Sequence, residues 1–182
     1  MPITTTPVDR PAVRSIEMVF DAASDDALRA GWRALVDAGL PSLALHDSPT
    51  NAPHVTLVAG PTLEPVPSLP AVAATHPSEV RFSGLMLFPA ARGRFVLVRA
   101  VVVTAALAAF HERVHDLVPG GFPTSLPGAW TPHVTIARRL TPEALPAALA
   151  ALADVPVPEA ATIAGVRFWD GGERRVTALT AG

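Results

Sequence analysis

Two histidines recur in the same local setting, and histidine is the side chain best suited to moving protons near neutral pH. One copy reads Pro53-His54-Val55-Thr56 and continues into Leu57-Val58-Ala59; the other reads Pro132-His133-Val134-Thr135 and continues into Ile136-Ala137. A pair of imidazoles, one neutral and one protonated, can accept a proton from an attacking oxygen and give another to a leaving oxygen. The two motifs therefore indicate acid–base catalysis of a displacement, and phosphorus is the centre that suits it best.

Each motif is a short run of β-branched and aliphatic residues, which predicts a β-strand. Alternate side chains of a strand point to the same side, so His54 and Thr56 should share one face. His133 and Thr135 should share a face in the same way, while the aliphatic neighbours point into a core. Each strand then offers an imidazole with a hydroxyl beside it, and such a hydroxyl can donate a hydrogen bond to a phosphate oxygen.

The elements that must position these motifs also occur twice. A predicted strand at 14–20 and a helix from a Ser24 or Asp25 cap to about Ala38 precede the first motif. A strand at 95–103 and a helix at 105–117 precede the second motif. An internal duplication explains this order most simply. It predicts an α+β fold of two pseudo-symmetric lobes, with mostly antiparallel sheets and flanking helices around a central cleft.

The remaining patterns complete this outline. They predict a short strand at 43–45, a helical turn at 71–74, a strand at 80–88, a helix from Thr141 to about Ala153, and a terminal hairpin of strands 161–169 and 174–179.

The twinned His-x-Thr pattern resembles the 2H phosphoesterase superfamily, also described as the 2′-5′ RNA ligase-like family. The resemblance implies a metal-independent phosphoesterase that acts on 2′,3′-cyclic phosphate or 2′-5′ phosphodiester groups of RNA ends or small nucleotides. It carries over His54 and His133 as catalytic residues and Thr56 and Thr135 as phosphate-binding residues. In relatives the second histidine often acts as base and the first as acid, although the pseudo-symmetry makes these roles exchangeable. The direction of the reaction, hydrolase or ligase, stays open.

Three further residues near the second motif are candidates for binding the substrate. An arginine after this motif matches many relatives, and Arg138 occupies that place. Strand alternation instead favours Arg139, which should share the face of His133 and Thr135. Trp130, just before the motif, could stack on a base or could equally anchor a loop.

Two other functions compete with this interpretation. His111-Glu112-Arg113-Val114-His115 matches the H-E-x-x-H zinc-peptidase pattern on a predicted helix, with His133 as a third ligand to consider. Helical periodicity, however, places Glu112 opposite the apolar stripe of that helix, facing water rather than an interior cleft. The second alternative is a nucleotide- or RNA-end-binding module without catalysis, although binding alone does not require two proton carriers.

Composition narrows the class of protein and of partner. The chain has 182 residues, 49 % of them hydrophobic, and no cysteine, which excludes disulfides and thiolate metal sites. All 14 basic residues are arginine and the net charge is −2, which disfavours tight binding of duplex DNA but not of a small nucleotide or an RNA end. We expect one bilobal domain over residues 1–182 with a flexible tail at 1–12, and no secretory signal. We also expect a cytoplasmic monomer that needs no cofactor or metal and does not associate with membranes.

Overall fold

The computed structural model describes residues 12–180, so the tail expected at residues 1–12 lies, except for Ala12, outside the described residues. Its strands and helices are, in order, β1 (Arg14–Phe20), α1 (Ala22–Asp37), β2 (His54–Gly60), α2 (Leu69–Ala73), β3 (Glu79–Ala90), β4 (Arg94–Val101), α3 (Ala105–Leu117), β5 (His133–Leu140), α4 (Leu145–Ala153), β6 (Ala160–Asp170) and β7 (Arg175–Ala178). None of these helices is long and apolar enough to cross a membrane.

The strands form one seven-stranded sheet in which every pairing is antiparallel. The strand order is β2-β1-β6-β3-β4-β5, and β7 adds to β6. We call β1, β2, β6 and β7 lobe one, and β3, β4 and β5 lobe two. The predicted α+β fold with antiparallel sheets is confirmed. The two halves share a continuous sheet because the start of β6 pairs with the start of β3, while its remainder pairs with β1 and β7.

Two helices, α1 and α3, each pack against the lobe opposite to the one that contains the preceding strand. Trp32 and Leu35 of α1, a helix that follows a strand of lobe one, pack with Leu97 and Ile136 of lobe two. In the reverse direction, α3 follows a strand of lobe two and packs its apolar stripe against β2 and β1 of lobe one. Burying each large aliphatic or aromatic side chain contributes about 1.5–3 kcal/mol. These helix contacts therefore hold the two lobes together, and with them the two motif strands.

Local capping chemistry explains which element predictions succeed. The α3 helix has the predicted bounds, Ala105–Leu117, and Thr104 caps it, because the Thr104 hydroxyl accepts a hydrogen bond from the Leu107 amide at 3.2 Å. The predicted cap of α1 is wrong by several residues, because the Asp21 carboxylate accepts from the Ser24 amide. The strand expected at 43–45 is also wrong. Leu43–Leu45 is a single 3₁₀ turn, which the Ser42 hydroxyl caps by accepting from the Ala44 amide at 3.1 Å.

Candidate active site

Each motif strand carries a β-bulge immediately after its threonine. In β2, Thr56 pairs with Glu17 while Val58 pairs with the adjacent Ile16, so one extra residue lies between them. The same shift occurs in β5, where Thr135 and Ala137 pair with adjacent residues of β4. A bulge turns successive side chains towards one side of the sheet. As a result both residues that follow each threonine are buried, and the predicted alternation holds only as far as the threonines.

The two imidazoles are held in the same way. His54 donates through Nδ1 to the carbonyl of Ala52 at 2.8 Å, and His133 donates through Nδ1 to the carbonyl of Thr131 at 2.7 Å. A carbonyl can only accept, so each Nδ1 carries a hydrogen and each Nε2 is left for chemistry. A proline lies between carbonyl and histidine in both copies, and its fixed φ helps to set this geometry.

Matched contacts bring the two motif strands together. β2 and β5 are the two ends of the strand order, yet they lie against each other. Trp130, which precedes β5, donates its indole N–H to the carbonyl of Thr56 at 2.9 Å. Trp32 of α1 donates in the same way to the carbonyl of Thr135 at 3.0 Å. Besides burial, the charge of His54 lowers the pKa of His133, so the two histidines are neighbours.

The threonine hydroxyls lie beside the histidines. Thr56 and Thr135 are both half-buried, as are His54 and His133. Within residues 12–180 neither threonine hydroxyl has a hydrogen-bond partner in the chain, since the indole contacts use the backbone carbonyls. Both hydroxyls are thus available to donate to a ligand.

A buried carboxylate lies beside the first histidine. Glu17 Oε1 is 3.6 Å from His54 Nε2, and the Glu17 side chain is 4 % exposed. Arg167 donates to Glu17 Oε2 through Nε and Nη2, both at 2.8 Å, and the Ser15 hydroxyl donates to Oε1 at 2.6 Å. Burial acts to raise the pKa of Glu17. The positive charges of His54 and Arg167 and the hydrogen bonds from Ser15 and Arg167 outweigh burial, and the pKa lies below the ordinary value. Glu17 is therefore an anion beside His54.

The second histidine has an aromatic, apolar neighbour from β3. The Phe88 ring meets the His133 ring edge-on, with ring centroids 4.9 Å apart. Burial lowers the pKa of His133 against the opposing effect of the Thr131 carbonyl, and the positive charges of His54 and Arg138 lower it further. The neutral imidazole is thus the form that this environment stabilises.

Both arginines after the second motif lie next to the histidine face. A second bulge in β5 places Arg138 and Arg139 opposite a single residue of β4, Val96. Val96 lies on the same face of the sheet as Val98, and Val98 pairs with Thr135. Both side chains are exposed. The charge of Arg138 acts on His133, and the carbonyl of Arg139 accepts a hydrogen bond from Arg94 at 3.3 Å. A role in phosphate binding stays a prediction for both.

The sequence matches the family described as the 2′-5′ RNA ligase superfamily over residues 25–175. This chain belongs to the 2′-5′ RNA ligase superfamily. The resemblance drawn from the two His-x-Thr motifs is thereby confirmed, and membership of the superfamily supports an enzyme. No curated protein matches the chain.

Two solved structures of Usb1 from Kluyveromyces marxianus are similar to this superfamily member. One, with uridine monophosphate, aligns with a TM-score of 0.47, and the other with a TM-score of 0.49. Each shares 11 % sequence identity with this chain and covers 95 % of it and 99 % of the Usb1 chain.

In this member of the 2′-5′ RNA ligase superfamily, Trp130 stacks on a histidine of α3. The Trp130 and His111 rings lie 3.9 Å apart and are parallel within 3°. His111 Nε2 is 3.1 Å from the carbonyl of Leu57 and 3.0 Å from that of Ser125, which ties α3 to β2. A pocket of about 140 Å³ adjoins this stack, and neither His54 nor His133 lines it. Through these contacts Trp130 anchors the segment before β5 to β2 and α3. A role for Trp130 as a base-stacking platform stays a prediction.

The side chains of the H-E-x-x-H segment do not share one environment. Glu112 is exposed, as its helical position predicts, whereas His111 is buried with Nε2 directed at two carbonyls. Among residues 12–180 there is no group of three or more histidines, cysteines or carboxylates placed to hold a metal ion.

Sequence reasoning missed Glu17, Arg167 and Phe88. Ser15 and Glu17 alternate with apolar residues along β1, a pattern that suggests a solvent-facing side. β1 is instead an inner strand between β2 and β6, so its polar side chains are buried against neighbouring strands. The sequence did contain one indication of this ion pair. Arg167 lies among apolar residues of β6, and a buried arginine requires a partner.

Proposed function

We propose that this chain is a phosphoesterase that acts on 2′,3′-cyclic phosphate or 2′-5′ phosphodiester groups of RNA ends or small nucleotides. The observation that carries the proposal is the matched pair of histidines. Each is held through Nδ1 by the carbonyl two residues earlier and has beside it a threonine hydroxyl that no group of residues 12–180 contacts by a hydrogen bond. Membership of the 2′-5′ RNA ligase superfamily supports the same class of enzyme.

The neighbours of the two histidines support different roles. A carboxylate anion lies beside His54, because Glu17 Oε1 is 3.6 Å from His54 Nε2. His133 has its pKa lowered by burial and has no carboxylate within ion-pair distance among the described residues. We therefore assign His54 as general acid and His133 as general base, the assignment that the resemblance also implies.

A balanced step for hydrolysis of a cyclic phosphate follows from these roles. His133 Nε2 accepts a proton from a water molecule while the water oxygen forms a bond to phosphorus. The bond from phosphorus to one ribose oxygen breaks, and His54 Nε2 gives its proton to that oxygen. The product is a phosphomonoester, and the pair regains its starting protonation by exchange with solvent. Each proton transfer contributes roughly 10²–10⁴-fold to the rate.

The threonines and Arg138 stabilise the charge that develops on the phosphate. Thr56 and Thr135 each present a hydroxyl next to a histidine, one from each side of the site. Such donors act most strongly on non-bridging oxygens in the transition state. Arg138 adds a positive charge on the side of His133. This scheme uses the histidines for both proton transfers and requires no Lewis acid.

A substrate screen with variants tests the proposal. The purified protein is assayed against 2′,3′-cyclic mononucleotides, 2′-5′ dinucleotides and ADP-ribose 1″,2″-cyclic phosphate, with and without EDTA. We expect turnover of at least one class that resists EDTA and is lost in both His54→Ala and His133→Ala. Binding without turnover would instead support a non-catalytic module. Turnover that EDTA abolishes would reject metal-free acid–base catalysis.

A further inference from the structure

Four exposed arginines lie at one end of lobe two. We call Arg92, Arg94, Arg138 and Arg139 the arginine strip. Arg92 lies in the turn between β3 and β4, and Arg94 is the first residue of β4. Arg94 donates to the carbonyl of Arg139 at 3.3 Å, and the start of β4 pairs with the end of β5. The strip is thus a continuous surface built from the ends of neighbouring strands.

The strip has no acidic partners at ion-pair distance among residues 12–180, although other arginines do. Ion pairs to carboxylates are made by Arg14, Arg29, Arg33, Arg81, Arg167 and Arg175. The charge of Arg94 acts on the carboxylate of Glu143. Its pKa is lowered mainly by hydrogen bonds to the backbone and to Thr141, and only to a smaller extent by Arg94. Four neighbouring positive charges in a chain of net charge −2 form a local positive field suited to an anion.

The strip begins at the candidate active site and leads away from it. Arg138 is close enough to His133 for its charge to lower the pKa of that histidine. Phe88 packs against His133 on β3, and two residues later Ala90 pairs with Arg94. A chain of phosphates that starts between the histidines would therefore meet Arg138 first and the turn at Arg92 last.

We propose that the arginine strip binds the phosphates that neighbour the reacting group, so that the preferred substrate is the end of a single-stranded oligoribonucleotide rather than a free mononucleotide. This inference rests on the proposed function of the same site. Arginine suits the task because its guanidinium donates paired hydrogen bonds to phosphate oxygens. Contacts to phosphates position a nucleic acid without reading its sequence, so the strip selects length and not bases.

The test compares two charge-matched double variants. One is Arg92→Asn with Arg94→Gln, in the strip; the other is Arg33→Gln with Arg174→Asn, outside it. Arg92 and Arg174 are both exposed and have positive φ, 60° and 52°, a conformation that asparagine tolerates. Each protein is assayed on uridine 2′,3′-cyclic phosphate and on a six-nucleotide oligouridylate that ends in the same cyclic phosphate, over a range of salt concentrations.

We expect the strip variant to lose about tenfold in kcat/KM on the oligonucleotide and to keep wild-type kcat/KM on the mononucleotide. Its slope of log kcat/KM against log salt should be less steep by about 1.4, because about 0.7 is lost per phosphate contact of a single strand. The control variant should match the wild type on both substrates. Equal effects in the two variants, or a wild type without preference for the oligonucleotide, would overturn the proposal.

A binding measurement separates this inference from the proposed function. If the wild type turns over neither substrate, the proposed function fails, and fluorescence anisotropy of a labelled oligouridylate then tests the strip alone. Weaker binding by the strip variant than by the control would still support a phosphate-binding strip, and equal binding would reject it. Thermal unfolding of each variant checks the fold, and Arg92→Asn alone serves if the double variant is unstable.

Discussion

The two motif strands of this protein agree in their backbone and differ in their surroundings. Both have a histidine tethered through Nδ1 to the carbonyl two residues earlier, a bulge after the threonine, and an indole N–H bonded to the threonine carbonyl. The first histidine has the Glu17 carboxylate beside it, and the second has the Phe88 ring. The shared features depend on the motif strand and on contacts to its backbone, whereas the differences come from side chains of neighbouring strands.

This contrast indicates how a duplicated motif can perform two opposite tasks. Geometry is repeated, so both imidazoles present the same nitrogen and the same neighbouring hydroxyl. Electrostatics is not repeated, because β1 and β6 bring a carboxylate with its arginine to lobe one, and β3 brings an aromatic ring to lobe two. A negative charge favours a protonated imidazole and an apolar contact favours a neutral one. In the proposed mechanism, this difference between the lobes is what divides acid from base.

The strongest test removes each histidine in turn. His54→Ala and His133→Ala should each lower kcat/KM by at least about 100-fold, because each removes one proton carrier. The measurement is kcat/KM on the best cyclic-phosphate substrate. His46→Ala, a change at an exposed position before β2, is the matched control and should keep wild-type activity. Wild-type rates in both active-site variants would contradict the catalytic assignment, and a loss in only one would break the equivalence of the two motifs.

The threonines test whether the lobes contribute equally to phosphate binding. Thr56→Ala and Thr135→Ala should each lower kcat by roughly 10–100-fold, because each removes a donor to the developing charge. Thr→Ser at the same positions keeps the hydroxyl and should restore most of the rate. Similar losses at the two positions would support symmetric donation. A serine variant as poor as the alanine variant would instead show that the methyl group, and not the hydroxyl, matters.

Glu17→Gln tests the difference between the lobes directly. The general acid must be protonated to act, and Glu17 places a negative charge 3.6 Å from His54 Nε2, the nitrogen that would hold the proton. Removing this charge should therefore move the alkaline limb of the kcat/KM profile to lower pH by about one unit. At pH values above this limb, kcat/KM should fall about tenfold, and at pH values below it the loss should be small. Since the two histidines interact, each limb of the profile reports an ionisation of the pair and not of one histidine alone.

The control for this prediction is Glu64→Gln, which also removes one negative charge. Glu64 is exposed and lies 3.6 Å from Arg14, so its loss should leave the profile unchanged. An unchanged alkaline limb in Glu17→Gln would mean that Glu17 does not set the protonation of His54. A shift of equal size in both variants would point to overall charge rather than to the local contact.

Sequence reasoning succeeds where the cause is local and fails where it depends on a partner strand. The bounds of α3 could be predicted because its signals are local, namely the cap residue Thr104 just before the helix and the apolar stripe along it. The bulges could not be predicted, since Leu57-Val58 looks like the continuation of an ordinary strand until its register with β1 is known. The contact of Glu17 with His54 likewise requires that register. The cap of α1 was misplaced because the Ser24 hydroxyl instead accepts from the distant Thr162 amide.

The smallest expected effect concerns the apolar neighbour of His133. Burial lowers the pKa of His133, and a base acts when it is deprotonated, so the acid limb of the wild-type profile should lie below the ordinary histidine value of about 6.5. Phe88→Ala admits water to the ring and reduces this effect. The acid limb should then move up by about half a unit, towards the ordinary value, with little change in rate at higher pH.

The control for Phe88→Ala is Leu87→Ala on the same strand. Leu87 points to the opposite face, where it pairs with Leu97 of β4, and it is 38 % exposed, so its removal should not move the limb. The two variants of the comparison then act on opposite limbs, since Glu17→Gln shifts the alkaline limb down and Phe88→Ala shifts the acid limb up. The double variant should show both shifts and a narrower bell. The exchanged pattern, in which Glu17→Gln moves the acid limb down and Phe88→Ala moves the alkaline limb up, would reverse the assignment of acid and base between the lobes.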